Sequence, residues 1–189
     1  MAVKNILKYL RRIEDMLLVY GGSVDEISVV GYTDASFQTD RDDFKSQSGY
    51  VFTLNGRAIS WKSSKQDKIA YSTTEVEYIA ASDAAKEAVW QKNFIIDLRV
   101  VASISKPIGM FYDNMGARAQ TKEPKAHHRT RHTLRKYHLI HEIVAIGDVK
   151  ISKIPTEDNV ADPLKNPLAR SKHDHHANSI VKQYIELGS

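Results

Sequence analysis

Residues 27–36 read I-S-V-V-G-Y-T-D-A-S. β-branched side chains favour a pleated backbone, and the run breaks where small and polar residues begin. It is therefore expected as a strand whose carboxyl end carries Asp34. Downstream, S-G-Y-V-F-T-L (48–54) and R-A-I-S-W-K (57–62) are joined by Asn55-Gly56. Asn-Gly between two alternating runs is the strongest short hairpin signal, because both turn positions need a positive φ. From Ser72 to Leu98 the apolar period becomes helical, and P-I-G-M-F-Y-D (107–113) returns to a strand that Pro107 opens and Asp113 closes. A helix of that length supplies the crossover that lets the strand ending at Asp34 and the one ending at Asp113 lie parallel and adjacent.

Further out, the pattern predicts a short helix over 114–121, a longer one from Thr130 to Ile146 stopped by Gly147, and a fifth strand V-K-I-S-K-I (149–154) ended by Pro155. A short helix from Asp158 and a terminal helix over 178–187 follow. The fold class is α/β, a five-stranded mixed sheet flanked by helices. Val3, Ile6, Leu7, Leu10, Ile13 and Leu17 at helical spacing predict an amphipathic helix over 3–20, and Gly21-Gly22 reads as its C-cap and a hinge. The expected division is 1–22, 23–168 and a tail at 169–189.

Composition narrows the class. With 42% hydrophobic and 26% charged residues in 189, the chain can bury a core, so disorder is not the default. The absence of Cys removes disulfides and thiolate metal sites and permits a reducing compartment. No apolar run approaches the roughly 20 residues that cross a bilayer. The N-terminus has charges within its apolar pattern, unlike a signal peptide, so an intracellular, cytoplasmic place is expected. A net charge of +4 favours a polyanionic partner without identifying one.

Two aspartates at neighbouring strand ends repel each other unless a cation intervenes. A hard divalent ion such as Mg²⁺ suits carboxylate oxygens, and a pair of ions can activate water against a phosphodiester. Such a site needs about four carboxylates. Glu75 and Glu77 are the candidates on the long helix. In S-T-T-E (72–75) Glu75 fits a capping box, folding back on residue 72. Glu77, about 200° further round, begins a stripe of Ala81, Ala84 and Ala88 that suits packing on a sheet, and it is preferred. In P-T-E-D-N-V-A-D-P-L (155–164), Asp158 suits an N-cap and Glu157 the first turn, leaving Asp162 to face inward as the fourth carboxylate.

Between 118 and 141 lie Arg118, Lys122, Lys125, Arg129, Arg131, Arg135 and Lys136, interleaved with His127, His128, His132, His138 and His141. This predicts a phosphate-backbone surface, against the plain alternative of a solvated helix face. His132 or His138 is a candidate to assist water activation. His128 with His132, and H-D-H-H at 173–176, are weak metal signals lacking further ligands.

G-Y-T-D-A-S, K-S-Q-S-G-Y-V-F, A-I-S-W-K-S-S-K-Q, S-T-T-E-V-E-Y-I-A-A, Y-D-N, R-K-Y-H-L-I-H-E and P-T-E-D-N-V-A-D-P-L, in this order, resemble the ribonuclease H region of copia-type retrotransposon Pol polyproteins of plants. The resemblance covers residues 1 to about 170, with 1–20 similar to the last helix of the reverse-transcriptase connection. It implies a ribonuclease H-like fold and hydrolysis of the RNA strand of RNA–DNA hybrids with two Mg²⁺ ions, for which Mn²⁺ substitutes. Asp34, Glu77, Asp113 and Asp162 are then the catalytic, metal-binding tetrad. The implied partners are the hybrid and the reverse-transcriptase domain of the same polyprotein, inside a virus-like particle, with no membrane. The chain departs from the pattern at A-D-P-L-K-N-P-L, where relatives read A-D-P-L-T-K-P-L, at His141 and at Arg118. Those departures support an alternative, a catalytically inactive nucleic-acid-binding relic.

Overall fold

A computed structural model describes residues 2–14, 16–18, 20, 27–40, 42–99, 106–113, 131–180 and 182–183. The central elements are β2 (Val29–Ser36), β3 (Gln47–Leu54), β4 (Arg57–Lys65), helix α2 (Thr73–Leu98), β5 (Ile108–Tyr112), helix α3 (Arg131–Ile146) and β6 (Val149–Lys153). They build a five-stranded mixed sheet in the order β4-β3-β2-β5-β6. β2, β3 and β4 are antiparallel neighbours, while β5 lies parallel to β2 and β6 parallel to β5.

The Asn55-Gly56 turn has φ of 49° and 78°, the mirror-image geometry whose twist matches that of the flanking strands. α2 crosses back over the sheet and places Ala84, Ala85 and Ala88 against Phe52, Ile108, Met110 and Val149, with Ile143 of α3 closing the cluster. The alanine stripe brings the helix backbone close to the sheet. Gly31 makes the Phe52 position possible, since a Cβ there would stand 2.5 Å from the ring. Glu87 of α2 then accepts hydrogen bonds from Ser60 (2.7 Å) and Gln91 (3.0 Å), and Lys92 pairs with Asp148 at 2.8 Å. These polar clamps fix the helix along the sheet.

The ends of the chain differ from expectation. The N-terminal helix α1 spans only Ala2–Arg12, and a two-residue strand β1 (Met16–Leu17) follows. Val3, Ile6, Leu7 and Leu10 are all more than half exposed, so no packed face sustains a longer helix. The terminal helix α4 spans Arg170–Ile180 and so begins before the expected 178, with His176 buried and Arg12 paired with Asp174 at 2.9 Å, while residues 184–187 of the expected helix lie outside the described residues. β7 (Lys182–Gln183) then pairs antiparallel with β1. The Gly21-Gly22 hinge and the 114–121 helix lie outside the described residues.

Candidate active site

The parallel register pairs Tyr32 with Phe111, so two residues further on the chain sets Asp34 beside Asp113 at the carboxyl ends of adjacent strands. Asp34, Glu77 and Asp113, together with Thr33, Ala80 and Tyr112, line one cavity of about 20 Å³. A space of that size holds about one water-sized group. The N-terminus of α2 decides which glutamate enters it. Ser72 Oγ accepts from the Glu75 amide at 3.2 Å, and Glu75 Oε2 accepts from the amide of Tyr71 at 2.9 Å, one residue before the expected cap. Glu75 is thereby held at the helix end, and Glu77 faces the strands.

Asp162 reaches the site by another route. The expected helix from Asp158 is two 3₁₀ turns, Thr156–Asp158 and Asp162–Leu164. Asp158 is not the N-cap: Pro155 stands there with no side-chain cap, and Pro163 removes the amide a continuous helix would need. Asn159 anchors the segment. It is fully buried, donates from Nδ2 to the Thr33 carbonyl (3.1 Å) and accepts from the Ala161 amide (3.2 Å). Gly49 allows the second turn to close on β3, since a Cβ there would meet the Leu164 Cβ at 2.6 Å. Asp162 is buried at this turn and does not line the cavity. Between it and Asp34 stands Lys165, whose Nζ donates to Asp34 Oδ1 at 2.7 Å and lies 3.4 Å from Asp162 Oδ1. Neither Asn159 nor Lys165 was singled out by sequence reading as a site residue.

Burial pushes the Asp34 carboxyl up to about 6, with the negative charge of Asp113 adding to the rise, although Lys165 and the Ala35 amide act against it. Burial works to lower Lys165, but Asp34, Asp113 and Asp162 outweigh it and hold the ammonium above its ordinary value. Asp34 Oδ2 is buried without a hydrogen-bond partner. This orphaned oxygen and the all-carboxylate donor set suit a hard divalent cation. Among the described residues no three acidic or histidine side chains already converge as a ligand cluster.

Most of the expected basic surface lies outside the described residues. Arg118, Lys122 and Arg129 lie outside them, as does His128, and so do the side chains of Arg131 and His132 at the start of α3. Arg135 is exposed, whereas Lys136 pairs with Asp83 of α2 at 3.3 Å. His138 is exposed, its ring edge-on to Tyr137 at 5.6 Å, and does not line the cavity. His176 of H-D-H-H is buried, which lowers its pKa. A different, mostly cationic feature is present: a groove of about 620 Å³ between β4 and α2, where Lys45, Lys62, Lys65, Lys68 and Lys136 outnumber Asp67, Glu75 and Asp83. Its sequence signal is the i, i+3, i+6 lysine run in K-S-S-K-Q-D-K (62–68).

No protein-family model matches the chain. Over 173 residues it is 42% identical to the retrovirus-related Pol polyprotein from transposon TNT 1-94 of Nicotiana tabacum, an alignment covering 92% of this chain. The chain spans only 13% of that relative's length. Among solved structures, the ribonuclease H1 LC11 isolated from compost superposes with a TM-score of 0.53 at 18% identity, over 72% of this chain and 91% of that one. The foamy viral protease-reverse transcriptase in complex with RNA/DNA hybrid gives 0.52 at 18% identity, over 78% of this chain and 22% of that one. These likenesses show a ribonuclease H fold.

Proposed function

On the premise that the chain is homologous to a segment of the retrovirus-related Pol polyproteins of plant transposons, we propose that it is the ribonuclease H of a copia-type element. It hydrolyses the RNA strand of RNA–DNA hybrids during reverse transcription and does so with a divalent metal. The observation that carries this reading is that Asp34, Glu77 and Asp113 line one cavity at the carboxyl ends of β2 and β5, the place where open α/β sheets receive ligands.

Three carboxylates facing a phosphodiester repel it, so a cation is required for the backbone to approach. Asp34, Glu77 and Asp113 would hold Mg²⁺ or Mn²⁺, with Asp162 completing the acidic set. When bound, such an ion supplies Lewis-acid stabilisation of the phosphate charge and a more acidic water. The rest falls to the protein. Lys165 and the Ala35 amide both engage Asp34 Oδ1, which fixes the carboxylate and leaves Oδ2 without a hydrogen bond. The lysine groove beside α2 offers sequence-independent contacts to backbone phosphates. Discrimination of RNA from DNA rests on 2′-hydroxyl contacts and the A-like shape of the hybrid. Attack of water at phosphorus breaks the P–O3′ bond and leaves 3′-hydroxyl and 5′-phosphate ends. The rest of the same polyprotein, its reverse transcriptase first, is the partner, and the particle that assembles from it is the proposed location.

One observation favours the non-catalytic relic: Lys165 already neutralises part of the acidic cluster. A labelled RNA–DNA hybrid incubated with the chain in Mg²⁺, Mn²⁺ or EDTA separates the two. Metal-dependent cutting of the RNA strand alone, lost in Asp113→Asn, is the expected result. Binding of hybrid without cutting leaves the relic.

A further inference from the structure

The four carboxylates do not form one ring. They divide into two sets that share Asp34. In the first, Asp34, Glu77 and Asp113 surround the small cavity. In the second, Asp34 and Asp162 flank the Lys165 ammonium at 2.7 and 3.4 Å. The side chains of all three residues in the second set are nearly enclosed: 3% exposed for Asp34 and 12% each for Lys165 and Asp162. A positive charge is thus already built into the position between these two carboxylates.

The backbone holds it there. Leu164 O accepts from Ser63 Oγ at 2.6 Å, Lys165 O from Ser36 Oγ at 3.4 Å, and the Lys165 amide donates to Asp162 O at 3.2 Å. The turn carrying Lys165 is tied to β4, to the end of β2 and to itself. The two oxygens of Asp34 are correspondingly unequal, with Oδ1 receiving Lys165 and the Ala35 amide while the buried Oδ2 receives nothing.

We infer that the Lys165 ammonium is a tethered cation occupying one of the two cation positions among Asp34, Glu77, Asp113 and Asp162, so that this site takes one divalent ion, in the Asp34–Glu77–Asp113 cavity, and not two. The inference rests on the proposed reading of the site as a divalent-metal centre. A divalent ion placed between Asp34 and Asp162 would meet the ammonium at close range, and like charges in an enclosed site repel strongly. The cavity lined by Asp34, Glu77 and Asp113 has room for about one water-sized group, and Asp34 keeps a second oxygen, Oδ2, that no hydrogen bond engages. Asp162 then acts as a positioning residue, through Lys165.

The test counts ions and needs no substrate. The full chain is titrated with Mn²⁺, and free Mn²⁺ is followed by its paramagnetic resonance signal. The wild-type chain should bind one ion; Lys165→Met should bind a second, Lys165→Arg should stay at one, and Asp162→Asn added to Lys165→Met should remove the second again. Two ions on the wild-type chain, or one ion on a folded Lys165→Met variant, overturns the proposal. Where Lys165→Met fails to fold, the wild-type count decides alone. A chain that binds two ions and cuts hybrid refutes the role of Lys165 and keeps the nuclease; one that binds a single ion and does not cut does the reverse. A chain that binds none refutes both.

Discussion

Two lysines in this molecule each bridge a pair of aspartates, and they do so in opposite surroundings. Lys165 stands between Asp34 and Asp162 inside the acidic end of the sheet. Lys65, at the end of β4, reaches Asp40 at 2.5 Å and Asp43 at 2.9 Å in the segment between β2 and β3, where all three side chains are about a third or more exposed. The contact lengths are alike. Burial separates them, because an exposed pair remains solvated and screened, while a buried charge depends on its partner. The carboxyl groups register the difference in opposite directions. Asp34 is raised by burial, whereas Asp40 and Asp43 are lowered, chiefly by their hydrogen bonds to Lys65. The inner trio is therefore a strained arrangement kept at the site, and the outer one an ordinary surface contact.

The largest effect on stability is expected from Lys165→Met. Methionine keeps most of the volume and removes the charge, leaving Asp34 buried beside Asp113 and Asp162. Breaking a buried pair from one side destabilises by roughly 3–5 kcal/mol, read as a shift of the urea midpoint at pH 7. A loss under about 1 kcal/mol, the range of exposed pairs, would show that the bridge is not held in solution and would erase the contrast with Lys65.

Next comes the pH dependence carried by Asp34. Its carboxyl goes from 3.8 to about 6 on folding, so the folded chain binds this proton more tightly than the unfolded chain. The stability it contributes is complete below pH 3.8 and is lost as pH rises through about 6, roughly 3 kcal/mol in all. Asp40 and Asp43 act in the opposite sense, their small contribution appearing at higher pH and vanishing as acid protonates them. Unfolding curves of wild type and Asp34→Asn between pH 4 and pH 7 isolate the inner group, since asparagine cannot titrate. Parallel curves for the two proteins would contradict the raised value.

The same contrast marks what the sequence made legible. The β3–β4 hairpin and the parallel pairing of β2 with β5 followed from local signals: the Asn55-Gly56 turn, the period change at Ser72, and a helix long enough to carry the chain back to a parallel strand. Asp34 and Asp113 followed from their places at strand ends, and Glu77 from its angle to Glu75 around α2. Lys165 was visible only as a lysine one position out of pattern. Its bond to Asp34 joins residues far apart in the chain through two 3₁₀ turns, whose geometry depends on Pro155, Pro163 and the burial of Asn159, and no local period encodes that. The pairing of β1 with β7 was missed for a similar reason. It links the two ends of the chain, and two-residue strands carry no periodicity to detect.

The smallest effect closes the comparison from the other side. Lys65→Met removes a lysine with contacts as short as those of Lys165, and a tally of ion pairs would rank the two substitutions together. Solvent around Asp40 and Asp43 screens their charges and rehydrates them once the lysine is gone, and the ordering of a long side chain offsets part of what the pairs contribute. The urea midpoint of Lys65→Met at pH 7 should thus match wild type within error, while hybrid affinity falls, because Lys65 also lines the groove proposed to meet backbone phosphate. The salt dependence of binding should become shallower by about one unit in the log–log slope. An unchanged slope removes Lys65 from the nucleic-acid surface. A large loss of stability would mean that contact length, and not burial, sets the worth of these bridges, and would undo the distinction drawn between the two trios.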